Sequence, residues 1–253
     1  MQSFDSNNSL VPVAELGEQN LGILPASSFA HLKSITCSSI VAEEVTEIAS
    51  DCPVVLLRDE QSGKFQLTAI LGLTPQHNLM LDQQGHWRGL YMPIGLEIAP
   101  FSFCLAEEEN TRLRVDMSSP LVATNQGKPL FENGQKSAFL ADMTHQLELV
   151  QDAMLQTEIF VEALVNRNLI TECQLTLQLE GQQPQTEEFF TINTSELSYM
   201  ANEDIIDFHR KGYWSPLFAI RNSLNQFKRL LNLHQTATSQ KGSLSLQINQ
   251  DQD

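Results

Sequence analysis

One long stripe of apolar residues constrains the fold of this chain more than any other feature of its sequence. Its members recur at spacings of three and four through residues 137–168, which predicts a long amphipathic helix. Thr157 is polar where the stripe predicts an apolar side chain. The other faces are strongly acidic, so the helix is expected to pack on its own domain or, alternatively, to dock a coiled-coil partner. The stripe consists of Leu140, Met143, Leu147, Val150, Met154, Val161 and Leu164.

Before this helix, short apolar runs separated by turn signals favour β-strands. Residues 53–58 and 64–71 flank a loop of acidic residues, Ser and Gly, which predicts a hairpin. Residues 78–82 and 87–91 predict a second hairpin, in which Gly85 supplies the positive φ of a tight turn.

Two helical segments are also expected in this half. The acidic stretch between Ser34 and Ile48 predicts a helix that ends before Pro53. Residues 94–99, between two prolines, predict one or two helical turns that lead into a strand at residues 101–106.

After the long helix, strands return and are followed by helices. Residues 173–180 and 187–193 alternate apolar with polar side chains, which predicts another hairpin. Three helices are then expected, the second closing at Gly212 and the third starting at Ser215 before Pro216.

These elements predict an α+β fold. It has antiparallel β hairpins in the N-terminal half, a long amphipathic helix, a further hairpin and a C-terminal helical cluster. No repeat or clear linker interrupts the chain, so residues 1–235 are expected to form a single domain. Residues 236–253 are rich in Ser, Gln and Asn, which predicts a flexible polar tail.

The chain is strongly acidic, with 31 Asp and Glu against 15 Lys and Arg, a formal net charge of -16 at pH 7. Such a field repels nucleic acid and anionic membranes, so no nucleic-acid partner is expected. Residues 128–207 hold 14 acids and 3 bases, whereas residues 208–250 hold 6 bases and no acid. The basic last helix is therefore expected to pack beside the acidic long helix or, alternatively, to dock an acidic partner or phosphate.

The sequence also predicts the cellular location of the protein and the state of its cysteines. It contains no apolar run long enough to span a bilayer and no N-terminal export signal, so a cytoplasmic protein is expected. The cysteines form no close pair and are predicted to be buried free thiols. They are Cys37, Cys52, Cys104 and Cys173.

The sequence carries no recognisable catalytic motif. It has no strained nucleophile elbow, and its glycines are scattered singly, unlike those of a phosphate-binding loop, so no cofactor is expected. A metal site is the alternative, because His77, Asp82 and His86 lie within ten residues and offer nitrogen and oxygen ligands. Their spacing matches no standard metal site, and a polar turn explains them equally well.

Aromatic residues and nearby cations give a different functional indication. Tyr and Trp are enriched at recognition surfaces because they bury a large area at low entropic cost, and Arg adds hydrogen-bond donors. The same residues are also common core anchors. The candidate partner-binding residues are Trp87, Arg88, Tyr91, Tyr213, Trp214 and Arg221.

An ordered set of segments resembles the SapC family, which is named from genes associated with bacterial surface-layer proteins. The most specific are the block at residues 72–87, the YMP and PFSF turns, and GKPLF. The matching segments are LVPVAELGEQNLGI, CPVVLLRD, LTAILGLTPQHNLMLDQQGHWRGLYMPIGLEIAPFSFCLAE, GKPLFENGQ, TEIFVEALVNRNLI and DFHRKGYWSPLFAIRNSLNQFKRLL.

This resemblance implies an accessory protein of Gram-negative bacteria. Members of the family are often encoded beside outer-membrane TonB-dependent receptors, flavin-dependent tryptophan-halogenase-like proteins and cupin-like proteins. That setting implies a shared pathway of nutrient uptake or peptide modification. The family supplies no catalytic residue that transfers to this chain.

The sequence therefore predicts a non-enzymatic, cytoplasmic accessory protein that binds a partner protein or peptide. The partner is expected among halogenase-like proteins or components of an outer-membrane-receptor pathway. The alternative is a metal-dependent enzyme or peptide-modifying auxiliary centred on His77, Asp82 and His86. A structural role in surface-layer biogenesis is a third possibility, which conflicts with the lack of an export signal.

Overall fold

The computed structural model describes residues 9–17, 19–25, 28–103 and 113–249. The described helices are α1 (Val45–Ile48), α2 (Ile94–Glu97), α3 (Ala138–Val165), α4 (Asn202–Lys211), α5 (Trp214–Ser223) and α6 (Gln226–Thr238). The described strands are β1 (Leu10–Pro12), β2 (Leu21–Ile23), β3 (Cys37–Ser39), β4 (Val54–Arg58), β5 (Phe65–Ile70), β6 (Phe101–Phe103), β7 (Leu113–Asp116), β8 (Val122–Thr124), β9 (Lys128–Pro129), β10 (Phe131–Glu132), β11 (Gln135–Lys136), β12 (Ile170–Leu179), β13 (Gln185–Ile192) and β14 (Gly242–Ile248). Antiparallel sheets and helices make the fold α+β, as predicted.

A six-stranded antiparallel sheet is the centre of the molecule. Its strand order is β14-β12-β13-β4-β5-β3, so β3 and β14 lie at its edges. Strand β12 alternates buried and half-buried residues along its length, because one face of the sheet meets the helices and the other meets solvent. Helix α5 packs against β4 and β13, and α6 packs against β14. Both predicted hairpins in this sheet, β4–β5 and β12–β13, are confirmed.

A second, smaller core lies beside the main one. The sheets β1-β7-β6 and β8-β2-β9 surround it with short strands. Helix α3 joins the two cores: Leu140 and Leu147, in its first half, are buried in the small core, whereas Phe160 and Leu164 are buried in the main core. The apolar stripe of α3 therefore serves two different packing surfaces.

The long helix has clear start and stop signals. The hydroxyl of Ser137 accepts the N–H of Leu140 at 3.1 Å, which satisfies one of the donors that every helix N-terminus leaves unpaired. At the other end Asn168 adopts a φ of 54°, and the N–H of Leu169 returns to the carbonyl of Leu164 at 3.0 Å.

The polar break in the stripe has a structural role. Thr157 is buried, and its hydroxyl accepts the N–H of Ala42 at 2.8 Å while it donates to the carbonyl of Ala153 at 2.7 Å. An apolar side chain would leave the Ala42 N–H without this acceptor. Thr157 therefore ties the helix to the segment that follows β3.

Several sequence expectations differ from the structure. The second predicted hairpin is reduced to one bridge, Leu81 to Trp87, with main-chain bonds from Asp82 to His86 and from Arg88 to Met80 on either side of it. The region between Ser34 and Ile48 contains β3, a 3-10 turn at Ala42–Glu44 and only a short helix. The third C-terminal helix is divided between α5 and α6 at residues 224–225.

The polar tail also differs from expectation. Residues 242–248 form the edge strand β14, which pairs with β12 along its whole length. The segment is rich in Ser and Gln, which predicts flexibility. Within it, however, Leu244, Leu246 and Ile248 alternate with polar residues, a pattern typical of an edge strand.

The charge-based pairing of the last helix with the long helix also differs from the structure. Arg229 of α6 pairs with Asp51. The acids of α4 are met by Arg167, which follows α3 and reaches Asp204 at 2.6 Å and Asp207 at 3.5 Å. In the described residues Cys37, Cys52 and Cys173 are free thiols, as predicted; Cys52 and Cys173 are buried, whereas Cys37 is half-buried. Cys104 lies outside the described residues.

Candidate functional site

The segment at residues 87–93, here called the Leu90 loop, joins the Leu81–Trp87 bridge to α2. The indole N–H of Trp87 donates to the carbonyl of Tyr91 at 2.9 Å, which closes the loop on itself. Arg88 fixes the first part of the loop. The main-chain N–H of Arg88 donates to the carbonyl of Met80, and its Nε donates to the carbonyl of Leu81 at 3.0 Å. The loop thus has a defined conformation without being helix or strand.

A buried carboxylate holds the tip of the loop. Asp51 follows α1, and its Oδ2 accepts the main-chain N–H of Leu90 at 2.6 Å. Its Oδ1 lies 3.1 Å from Nη1 of Arg229, and the same guanidinium donates to the main-chain carbonyl of Asp51. Because the side chain of Asp51 is only 12% exposed, its charge depends on these partners.

A second buried carboxylate holds the end of the loop. Oε1 of Glu44 accepts the hydroxyl of Tyr91 at 3.0 Å and the N–H of Ile94 at 2.6 Å, and Oε2 accepts the N–H of Val41 at 3.1 Å. Burial raises the pKa of Glu44, and the three hydrogen bonds oppose that shift. Burial and the adjacent carboxylate also raise the pKa of Tyr91, so its phenol remains a donor.

Between these two anchors the loop presents one apolar side chain to solvent. Leu90 is 94% exposed, the highest value of any large apolar residue in the described part of the chain. Gly89 allows this conformation, because a Cβ there would lie 2.7 Å from Nε1 of Trp87 and 3.0 Å from Oδ2 of Asp51. The buried groups therefore hold the main chain on either side of an exposed leucine.

The sequence-predicted binding residues are divided between two places. Trp87, Arg88 and Tyr91 lie in the Leu90 loop. Trp87 bonds within the loop, whereas Arg88 and Tyr91 tie it to Leu81 and Glu44. Tyr213 and Trp214 lie at the junction of α4 and α5, where they contact aromatic rings of the core.

At that junction the rings are closely packed. Tyr213 makes edge-to-face contacts with Phe160 and Phe208, at centroid distances of 5.0 and 5.4 Å. Trp214 lies 5.3 Å from Phe208 and stacks on the exposed ring of Phe218 at 6.0 Å. Both residues thus anchor the helical cluster.

Arg221 has a different position, on α5. Its charge partly opposes the effect of burial on Cys173, whose pKa rises to about 11. The cation of the C-terminal helices that reaches the Leu90 loop is Arg229, through Asp51.

The three candidate metal ligands do not form one centre. Asp82 and His86 form a turn: Oδ1 of Asp82 accepts the N–H groups of Gln84 and His86, and Oδ2 lies 3.1 Å from Nδ1 of His86. These bonds lower the pKa of Asp82. His77 instead packs 5.9 Å from the ring of the buried His234. In the ranges that the structure describes, no group of three or more His, Cys, Asp or Glu side chains could hold a metal ion.

The chain matches one known protein family. A model of the SapC family matches residues 18–230, which include the Leu90 loop and both of its carboxylate anchors. The chain belongs to the SapC family. No curated protein and no solved structure matches this SapC chain. None of the helices that the structure describes is both long and apolar enough to cross a membrane.

The sequence pattern of this SapC chain does not indicate the residues that organise the site. The aromatic pattern indicates Trp87 and Tyr91 but not Leu90, although Gly89 and Pro93 on either side of Leu90 are typical of an irregular segment. The groups that Glu44 and Asp51 hold at Leu90, Tyr91 and Ile94 lie 39 to 50 residues away in sequence, so no local pattern marks the two acids as anchors.

Proposed function

We propose that this SapC-family chain is a non-enzymatic accessory protein that docks a partner protein through the Leu90 loop. The observation that carries the proposal is Leu90 itself, a leucine 94% exposed on a main chain that two buried carboxylates fix in place. An isolated exposed leucine is ordinary on a protein surface. A leucine held by this many internal bonds loses little conformational freedom on binding, which favours affinity.

The loop has the composition of a contact anchor. Leu90 can fill an apolar pocket of the partner, and Arg88, two residues earlier, is also exposed. Apolar and arginine side chains presented together are typical of interface anchors. The expected partner surface is therefore an apolar pocket flanked by an acidic group.

The sequence resemblance supplies candidate partners. Halogenase-like proteins and components of TonB-dependent uptake or surface-layer biogenesis are the classes to examine first, and the proposal keeps the cytoplasmic location predicted from the sequence. The docking surface of Leu90 and Arg88 does not depend on which of these classes the partner belongs to.

Affinity purification from the native cells tests the proposal. The full-length tagged chain is compared with Leu90→Asp, which places a charge where an apolar contact is expected. Leu149→Asp is the matched control, because Leu149 is 59% exposed on α3, away from the loop. We expect one or more proteins to copurify with the wild type and with the control. The amount that copurifies with Leu90→Asp should be lower by about tenfold or more.

The purified partner then gives the decisive comparison by titration calorimetry. The proposal requires a matching loss of affinity for Leu90→Asp and none for Leu149→Asp. Equal binding by all three chains would show that the loop is not the docking surface. Fractionation of the same cells tests the cytoplasmic location separately.

A further inference from the structure

A cleft of about 700 Å³ lies on the other side of Glu44, between helix α3, the edge of the main sheet and helix α2. Most of its lining is apolar, with Met154 and Val161 from α3, Ile94 and Leu96 from α2, and Phe101 from β6. A volume of this size, mostly apolar with a few polar groups, is typical of ligand sites. The Leu90 loop does not line it, so it is a separate candidate site.

One wall of the cleft is formed by β3 and the two residues after it. Residues 37–41 line it. In the sheet order β3 is the last strand, so only one of its edges pairs with a neighbouring strand. Helix α2 packs against β3 and also lines the cleft, and its Gly95 lies beside the carbonyl of Ser39. The unpaired edge of β3 therefore borders the cleft next to α2.

The hydrogen-bond pattern shows which main-chain groups face the cleft. On the side of β3 that meets β5, the carbonyl of Thr36 accepts the N–H of Leu71, and the N–H of Ile40 donates to the carbonyl of Leu67. Because antiparallel bonding alternates along a strand, residue 38 also faces β5, while Cys37 and Ser39 turn their N–H and C=O groups outward. Such an edge is a template for an added strand.

Three polar side chains of the cleft already have hydrogen-bond partners within the protein. Glu44 accepts three donors, and the hydroxyl of Thr157 both accepts and donates. The hydroxyl of Ser38 donates to the carbonyl of Ser39. What the cleft offers a ligand is therefore apolar surface and strand-edge main chain, a combination that suits a peptide better than a hydrocarbon chain.

The mouth of the cleft indicates the charge of that peptide. Asp59 and Glu158 line it together with one cation, Lys64, whose Nζ lies 3.8 Å from Oε2 of Glu158. The exposed faces of α3 beside it carry further acids. An incoming basic side chain would be attracted, and an anionic head group such as that of a fatty acid would be repelled.

We propose that this cleft binds a short extended peptide segment, which adds to the edge of β3, places alternate apolar side chains in the cleft and sets a Lys or Arg at its mouth. Helix α2 limits the length of the segment, because Gly95 lies close to the carbonyl of Ser39. The inference uses a different surface from the Leu90 loop and does not depend on it.

Selection of a random heptapeptide display library on the full-length protein tests the proposal. We expect enriched peptides that alternate apolar with other residues and carry Lys or Arg near one end. Their binding is then measured as acetylated synthetic peptides. Met154→Lys, which introduces a charge into the cleft, should weaken binding about tenfold or more. Leu155→Lys, on the adjacent exposed position of α3, is the matched control and should bind normally.

A second variant covers the case in which Met154→Lys does not fold, as judged by thermal unfolding. Gln66→Arg changes an exposed residue that lines the cleft and should also weaken binding of the basic peptide, whereas Gln61→Arg, exposed in the β4–β5 loop, should not. Main-chain recognition is tested by N-methylation of the peptide. Methylation at alternate residues should abolish binding, and methylation at the intervening residues should not.

Three outcomes would overturn the proposal. The first is that no peptide is enriched on the wild type over a folded cleft variant. The second is that both N-methylated series bind alike, which would indicate side-chain capture without strand addition. The third is displacement of the bound peptide by dodecanoate, which would assign the cleft to fatty acids. Leu90→Asp should leave peptide binding unchanged, so this inference and the docking function can fail separately.

Discussion

The carboxylate of Asp51 accepts the main-chain N–H of Leu90 at 2.6 Å and at the same time pairs with Arg229. Asp51, which follows α1, thus connects α6 to the exposed Leu90 loop. If this buried pair fixes the loop, Asp51→Asn should lower the free energy of unfolding by about 2–4 kcal/mol, because it leaves Arg229 without its counter-charge.

Urea denaturation measures this effect. The same change at an exposed pair, Glu158→Gln beside Lys64, should cost less than about 1 kcal/mol. Hydrogen exchange adds a local readout, since the amide of Leu90 should lose protection in Asp51→Asn. Normal protection of that amide would mean that the carboxylate does not hold the loop.

Gly89 gives a steric test of the same loop. A methyl group at this position would lie 2.7 Å from the Trp87 indole nitrogen and 3.2 Å from the side chain of Met80, so Gly89→Ala must displace the loop. We expect a loss of about 1–3 kcal/mol in unfolding free energy and weaker partner binding.

Gly95→Ala is the control for that change. The nearest atom to a Cβ at residue 95 is the carbonyl oxygen of Ser39, at 3.7 Å, which is ordinary contact. Unfolding free energy should stay the same or rise slightly, because alanine favours a helix more than glycine does. Equal losses for the two variants would contradict the steric account.

Substitution of Thr157 tests the attachment of α3 to the segment that follows β3. Thr157→Val keeps the shape of the side chain but removes the acceptor of the Ala42 N–H, so the free energy of unfolding should fall by about 1–3 kcal/mol. Thr144→Val is matched to it, because the hydroxyl of Thr144 donates only to the helix carbonyl of Leu140. Thermal unfolding should separate the two variants clearly, and similar midpoints would contradict the assigned role.

Acid should destabilise the fold through its partly buried histidines. Burial lowers the pKa of His31, and burial, His234 and Lys33 lower that of His77, so the unfolded chain takes up protons first as the pH falls. Their contribution to stability is therefore present above the ordinary pKa of 6.5 and is lost as the pH drops through that value toward the lower folded values.

A double variant isolates this contribution. Between pH 7.5 and 5.5, a window of about one unit on either side of that pKa, the unfolding free energy of His31→Gln/His77→Gln should fall less steeply than that of the wild type. An identical slope for the two proteins would assign the acid sensitivity to other groups.

Local sequence patterns predicted the parts of the fold that are held by near neighbours. The β4–β5 hairpin and the long helix depend on alternation and on spacings of three and four, and both are present. The Leu90 loop depends instead on contacts between distant residues: Tyr91 meets Glu44 across 47 positions, and Arg229 meets Asp51 across 178. No periodicity encodes such pairs.

The same limit explains the sequence-predicted site residues. The aromatic residues predict contacts by Trp87 and Tyr91. The indole of Trp87 bonds within the loop and the hydroxyl of Tyr91 bonds Glu44, and the most exposed side chain between them is Leu90. His77, close in sequence to Asp82, is instead packed beside His234 of α6. Proximity in sequence therefore did not produce a metal site.

Docking through the Leu90 loop requires that the Leu90 side chain itself touches the partner. A photo-crosslinking amino acid placed at position 90 in the native cells tests this contact, with position 149 as the exposed control. We expect position 90 to capture a crosslinked partner that position 149 does not capture. A position 90 that captures nothing, or that captures only what position 149 captures, would contradict it.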